Sequence, residues 1–464
     1  MASVRTYLKE HSQVFTDLSD RIWHTPEIGL REQASSQALM DALAAEGFAL
    51  NRLESMPTAF VASYGEGAPV IALLGEYDAL PGLSQAADVA ERAPIVEGGP
   101  GHGCGHNLLG TAAAAAAMAV RHAIRSQGLR GTVRFYGCPA EETLVGKVFM
   151  AKEGLFRDVD CALTWHPGSA NAVWAASTQA MNSVRIRFHG IPAHAAANPE
   201  DGRSALDAVE LMDVGANFLR EHVPSDARIH YVITDGGDAP NVVPAHAEVW
   251  YYVRAPRRDD VEAIYRRLLD VARGAALMAG VSHEVELVTG CYDTLANRVL
   301  GDLLQEQMEN IGAPVFSPEE HRLAHDLQAT FADGTVERAV RHLRRRGLAV
   351  PAGCDLVEAV APSSGYGKVD SGSTDVGDVS HIVPTAQLTA VTAPLGTPGH
   401  SWQNVVSVGS GIGHRGMLYA AEVLAQAAAE LLARPELVAQ AKEEFRQNAE
   451  PYVSPVRDLA TPRG

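Results

Sequence analysis

Four short stretches of this 464-residue chain carry residues that could do chemistry together: Cys104 and His106 in GHGCGHNLLG, Glu141-Glu142 in CPAEET, His166 in WHPG, and His400 in GTPGHSWQ. Thiolate, imidazole and carboxylate side chains together make a ligand set for a transition metal such as zinc or manganese. Five candidate ligands suggest two ions, or one ion with an extra ligand. The doubled glutamate adds a second function, because neighbouring side chains on an extended segment diverge. One glutamate can bind metal while the other faces a water molecule as general base. Each residue alone also has a plainer reading. A Glu-Glu pair is usually solvated, a lone His166 is usually a hydrogen-bonded core histidine, and a reduced Cys-His loop could be structural.

The elements that must position these residues follow a regular pattern. Val70–Gly75 (VIALLG), Thr132–Tyr136 (TVRFY) and Cys161–Trp165 (CALTW) are apolar runs that predict buried strands. The first ends in Glu76-Tyr77-Asp78, the second runs into Glu141-Glu142 and the third into His166. The Gly-punctuated Cys104/His106 loop enters an alanine run that predicts a buried helix able to lie close against a sheet. Strand, chemistry-bearing loop and helix in repetition predict an α/β fold with a mostly parallel sheet, whose strand ends share one crevice. Ahead of it, residues 4–45 read as two helices broken at Thr25-Pro26 and Gly29.

Near Asn182 the periodicity changes. SVRIRFHG, RIHYVIT, AEVWYYVRA and HEVELVTG alternate apolar and polar residues as half-exposed antiparallel strands, with helical segments from Ser204 to His222 and over VEAIYRRLLDVARGAALMAG. These features predict three segments: 1–181 as the first part of a catalytic domain, 182–291 as an inserted α+β domain with one open sheet face, and 292–464 as the rest of the catalytic domain. A long helix is expected from about Gly413 to Leu432, and the Pro-rich, charged tail from Asn448 is expected to be peripheral.

Composition narrows the function class. A formal charge of −18 and a pI near 5.4 argue against a nucleic-acid or anionic-membrane surface, so an anionic substrate needs a local positive cluster. The first residues lack the apolar core of a signal peptide, and no apolar run reads as a bilayer span. Five scattered cysteines without disulfide-like spacing predict a reducing, cytoplasmic setting.

GEYDALPGLSQ, GHGCGHNLLG, CPAEET, WHPG, PAHAAANPEDGRSALDAV, APNVVPAHAEVWYYVR, GSTDVGDVS and GTPGHSWQ stand in the order of one metallo-amidohydrolase family. This family includes aminoacylases, bacterial carboxypeptidases, hippurate hydrolases and plant hydrolases of indoleacetyl amino acids. The chain resembles it over nearly its whole length. The resemblance implies that Cys104, His106, Glu142, His166 and His400 hold two divalent ions, zinc or manganese, and that Glu141 deprotonates the attacking water. It also implies that Asp78 orients a ligand histidine, and that Asn241 and Arg254 bind the substrate carboxylate or the transition state. His194 would be presented to the oxyanion by a partner subunit's lid, the inserted domain serving as lid and dimerisation domain. Asp375 and Asp378 are left open between groups that orient ligands and helix caps.

The expected substrate is an N-acyl or N-aroyl amino acid, with p-aminobenzoyl-glutamate first and indoleacetyl-aspartate type conjugates second. A homodimer is expected, or a heterodimer with a paralogous chain that activity requires. A purely structural metal site is disfavoured, because such sites are closed by four ligands from compact motifs. Two departures from the family pattern are visible. Asn107 stands where CGHD is usual, and Thr143-Leu144-Val145 replace a Gly-Gly-Ser run, which should reshape the pocket wall.

Overall fold

The structure is a computed structural model describing residues 2–462. Three helices open the chain: α1 (Ala2–Glu10), α2 (Ser12–Trp23) and α3 (Gln33–Ala45). The break between α2 and α3 falls at Thr25-Pro26, as expected, and the connecting segment also caps α3. The Glu27 carboxylate accepts the backbone N–H groups of Ala34 (3.0 Å) and Ser35 (2.9 Å) in the first turn of that helix. Next come β1 (Ala49–Arg52), β2 (Phe60–Glu66), β3 (Val70–Glu76), α4 (His106–Gln127), β4 (Gly131–Cys138), α5 (Gly146–Lys152), β5 (Cys161–Gly168) and β6 (Ala172–Val173). A second group comprises β7 (Ala180–His189), α6 (Ala205–Leu219), β8 (Arg228–Asp235), β9 (His246–Ala255), α7 (Arg258–Ala279) and β10 (Ser282–Cys291). The chain closes with α8 (Arg298–Ile311), α9 (Pro318–Gln328), α10 (Thr335–Arg345), α11 (Val376–Ser380), β11 (Thr385–Val391), α12 (Trp402–Val408), α13 (Gly411–Ala433) and α14 (Pro435–Asn448).

Seven strands form one sheet in the order β1-β2-β4-β3-β5-β11-β6. Its centre is parallel: β3 pairs in parallel with β4 and β5, and β5 with β11. The α/β class read from the apolar runs is therefore correct. The antiparallel margins β1, β2 and β6 have no counterpart in that reading. β1 is exposed along its length and carries no apolar run to announce it. Helix α4 is buried from His106 through Val120 and packs against β3 and α13. Alanine is the side chain that lets a helix come close to a sheet on one side and a helix on the other.

The remaining four strands form a separate antiparallel sheet, β10-β7-β9-β8. Helices α6 and α7 cover one face, where Val184, Ile186, Phe188, Val249 and Tyr251 pack with Met212 and Leu268. The edge strand β8 is exposed on both faces at Tyr231, Val232 and Ile233, rather than half-buried as its alternation suggested, because it pairs only with β9.

Two expectations for the end of the chain need correcting. Among the described residues, α13 is long and apolar enough by composition to cross a membrane, contrary to the reading that no run is. It is a core helix here, 78% of that apolar window being buried, with α4 and β11 against it. The tail after α14 is anchored rather than peripheral. Val456 is fully buried in the same core cluster as Phe149 and Met181, the Tyr452 hydroxyl donates to Asp378 (2.7 Å), and Lys152 Nζ donates to the Leu459 carbonyl. A few anchoring side chains within a polar, Pro-rich segment do not register in its composition.

Candidate active site

Because β3, β4 and β5 run in parallel, their carboxyl ends deliver side chains to one edge of the sheet. β3 delivers Glu76 and Asp78, β4 leads to Glu141 and Glu142, and His166 lies near the end of β5. Gly105, in the left-handed region at φ +79°, turns the Cys104 loop into α4, whose first residue is His106. Cys104 Sγ lies 3.4 Å from His166 Nε2. His106 Nδ1 meets Asp78 Oδ1 at 2.8 Å and His166 Nδ1 meets the Pro167 carbonyl at 2.8 Å, so each imidazole is held by Nδ1 with its Nε2 turned toward the other groups of the cluster. His400 comes from the loop before α12, with its Nε2 3.4 Å from Glu142 Oε2. Asn404 Nδ2 in α12 donates to the Gly103 carbonyl (2.7 Å) and ties that loop to the Cys104 loop.

The five candidate ligands fall into two overlapping triads. Cys104, His106 and His166 place one donor atom each within 4.8 Å of one another, and so do Cys104, Glu142 and His400. The thiol is common to both. Glu141 is buried, and its Oε2 lies 4.0 Å from His106 Nε2.

The electrostatics of the cluster fit a cation. Glu142 Oε1 is buried without a hydrogen-bond partner, and His106 Nε2 and Glu76 Oε2 face only each other, at 3.2 Å, a costly arrangement for polar atoms that a metal ion relieves. Burial pushes the Cys104 thiol up to about 12 and Glu142 up to about 7. Glu141 is driven well above the carboxylate range by burial, and then by the charges of Glu76 and Asp375. Burial lowers His166; His106 is raised in spite of its burial by Cys104 and Asp78. Thiolate, imidazole and carboxylate donors suit zinc or manganese.

Behind the triads lies a buried network that sequence reasoning missed. Lys147 is fully buried, and its Nζ bridges Glu76 Oε1 and Asp375 Oδ1 at 2.6 Å each. Glu76, His106 and Glu141 form a third set of close donors, in which Glu76 is also paired with the Lys147 ammonium. Three buried carboxylates also hold the Glu141 loop by its backbone: Glu32 accepts from Ala140 N (2.8 Å), Asp78 from Glu142 N (2.9 Å) and Asp375 from Lys147 N (2.7 Å). The available signals were Glu76 two residues before Asp78 and Lys147 in the first turn of a short, otherwise apolar stretch. Asp375 thus grips the loop through Lys147, whereas Asp378 accepts from Tyr292 N (3.0 Å) and Tyr452 and anchors the tail.

The two departures from the family motifs are structural. Asn107 Nδ2 donates to Ser19 Oγ (3.1 Å) and the Val408 carbonyl (3.2 Å), contacts that an aspartate could not make as donor. Leu144 and Val145 are buried in the core with Phe149, and Thr143 alone of the three is exposed.

His194, Asn241 and Arg254 lie outside the triads. His194 is on the antiparallel unit, where its Nδ1 accepts from Ala196 N and Ala197 N at 3.2 Å. Asn241 is its neighbour, its carbonyl accepting from Ala195 N (3.0 Å). Arg254, near the end of β9, donates from Nη1 to Ser373 Oγ (3.1 Å) and lies over the Tyr252 ring, while its buried Nε has no partner. It therefore connects the antiparallel unit to the segment that supplies Asp375.

A parallel-centred α/β sheet with its cluster of ligating and acidic groups at the strand ends, joined to a separate antiparallel sheet, is an architecture shared with known proteins. Residues 177–277 match the family model described as the peptidase dimerisation domain. The chain belongs to the M20 family of peptidases and amidohydrolases, and it is an amide-bond hydrolase. It is 44% identical over 461 residues to one of the two subunits of the p-aminobenzoyl-glutamate hydrolase of Escherichia coli, covering 97% of this chain and 96% of that protein. It is also 28% identical over 445 residues to the Xaa-Arg dipeptidase of Mus musculus, covering 92% and 88%. A dinuclear metal binding peptidase of the M20 family from Bacillus subtilis has the same fold, with a TM-score of 0.55 at 17% identity over 92% of this chain and 99% of that one.

Proposed function

We propose that the chain is a metal-dependent hydrolase of N-aroyl amino acids, cutting p-aminobenzoyl-glutamate to p-aminobenzoate and glutamate. The observation that carries this reading is the pair of triads meeting at Cys104 with buried Glu141 beside them; the relative that is 44% identical supports the substrate. Cys104, His106, Glu142, His166 and His400 would hold two divalent ions, zinc or manganese. Once bound, these would polarise the amide carbonyl and make water nucleophilic near neutral pH. Glu141 takes the proton of the attacking water and passes it to the leaving amide nitrogen. Asp78 holds His106 by Nδ1, and the Pro167 carbonyl holds His166 in the same way. Arg254, a fixed cation in an acidic protein, and Asn241 bind the carboxylate of the amino acid.

Assembly belongs to the same proposal. The exposed edge of β8 and the exposed loops carrying His194 support a dimer in which His194 of one chain serves the site of the other. The Escherichia coli relative is one of two differently named subunits of its enzyme, which keeps a second arrangement in play, a heterodimer with a paralogous chain.

Metal analysis of the purified chain, followed by hydrolysis of p-aminobenzoyl-glutamate, hippurate, indoleacetyl-aspartate and aliphatic N-acyl amino acids, tests the reading. Two ions per chain and chelator-sensitive cleavage, fastest for the aminobenzoyl substrate, are expected. Glu141→Ala should keep metal and fold while losing turnover by roughly 10²- to 10⁴-fold. A metal-replete Glu141→Ala protein of normal activity, or a chain that binds no metal, overturns it.

A further inference from the structure

The loop that carries Glu141 and Glu142 is held in an unfavourable backbone conformation. Ala140 and Leu144, which flank the pair closely, lie in the left-handed region at φ +53° and +56°. Standing there strains a residue with a Cβ, so something must hold it. Two of the three carboxylates that grip the loop have other duties: Asp78 orients His106, and Asp375 is paired with Lys147. Glu32 has none at the site. It is buried, it comes from the segment before α3 more than a hundred residues away in sequence, and its Oε1 accepts from the N–H of Ala140, the residue just before Glu141.

We propose that Glu32 is a positioning residue for the general base, pinning Ala140 in its left-handed conformation so that Glu141 and Glu142 diverge, one toward the water and one toward the metal. This rests on the assignment of Glu141 as base. Glu32 itself touches neither substrate nor metal; it acts through a single hydrogen bond to the backbone.

Two conservative variants separate reach from the acidic group. Glu32→Gln keeps a carbonyl oxygen at the same reach and removes the carboxyl group, which burial raises to about 8. Glu32→Asp keeps a carboxyl group but falls one methylene short of Ala140. The clamp requires that Glu32→Gln retain kcat within about threefold and that Glu32→Asp and Glu32→Ala lose kcat by about 10- to 100-fold, with KM and bound metal little changed. Hydrogen exchange of the segment around residues 138–146, measured by mass spectrometry on the metal-free protein, should quicken in Glu32→Asp and Glu32→Ala and stay slow in Glu32→Gln. Because glycine takes up positive φ without penalty, Ala140→Gly added to Glu32→Asp should recover most of the lost kcat.

Unchanged exchange in Glu32→Asp and Glu32→Ala overturns the proposal, as does a kcat that follows the carboxyl group rather than reach, or a failure of Ala140→Gly to rescue. If Glu32→Ala does not fold, the Gln and Asp variants decide the matter alone. An active Glu141→Ala would sink the catalytic reading, whereas the exchange comparison would still decide whether the clamp exists.

Discussion

Burial opposes the deprotonated forms that ligation by Cys104 and Glu142 requires. Both stand raised, to about 12 and about 7, so metal uptake must release protons and affinity must fall as pH drops. Stability responds with a definite sign. Glu142 and Asp375, both raised to about 7, bind more protons folded than unfolded between about pH 4 and pH 7. The metal-free protein therefore loses stability as pH rises through that window. Metal relieves the part due to Glu142. Thermal unfolding with and without chelator should show a gap that widens from about pH 5 to pH 8. A gap that stays constant or shrinks would mean that the buried carboxylate is not where the metal acts.

At the scale of elements, the placement of α4 against β3 decides whether His106 can meet Asp78. Gly110, in the second turn of α4, lies so close to the end of β3 that an added Cβ would stand 2.5 Å from the Glu76 carbonyl oxygen. Gly110→Ala must push the helix away, at a cost of about 1–3 kcal/mol, and carry His106 with it. A lowered melting temperature together with weakened metal binding is expected; an unchanged metal affinity would show that the Cys104 loop moves independently of its helix. The elements most legible in the sequence are those whose signal is local. The apolar runs of β3, β4 and β5 and the alanines of α4 each reveal an environment buried on all sides. The exposed edge β1 and the anchoring of the tail by Tyr452 and Val456 are not legible, because exposure at a sheet margin and isolated buried contacts leave no periodic pattern.

The whole molecule raises the question of what completes the site. His194 belongs to neither triad, and its exposed position suits service to a partner. Mixing inactive Glu141→Ala and His194→Ala chains tests this directly. If His194 acts across a homodimer interface, each mixed dimer has one intact site, and random exchange should restore about 25% of normal activity. If it acts within its own chain, every site carries a defect and no activity returns.

The sequence by itself determined the chemical cast and the class of scaffold. Ligand types, their order at the ends of apolar runs, and the change of periodicity near Asn182 are local properties that composition and spacing record. Only the tertiary structure decided which charged residues are buried partners. Glu32, Glu76, Lys147 and Asp375 look in the sequence like any solvated glutamate, lysine or aspartate, yet Glu32, Glu76 and Asp375 converge from three separate segments onto the stretch that runs from Ala140 to Lys147. The physical reason is that the cost of burying a charge is met by neighbours in space, and those neighbours are chosen by the packing of the sheet rather than by adjacency in the chain.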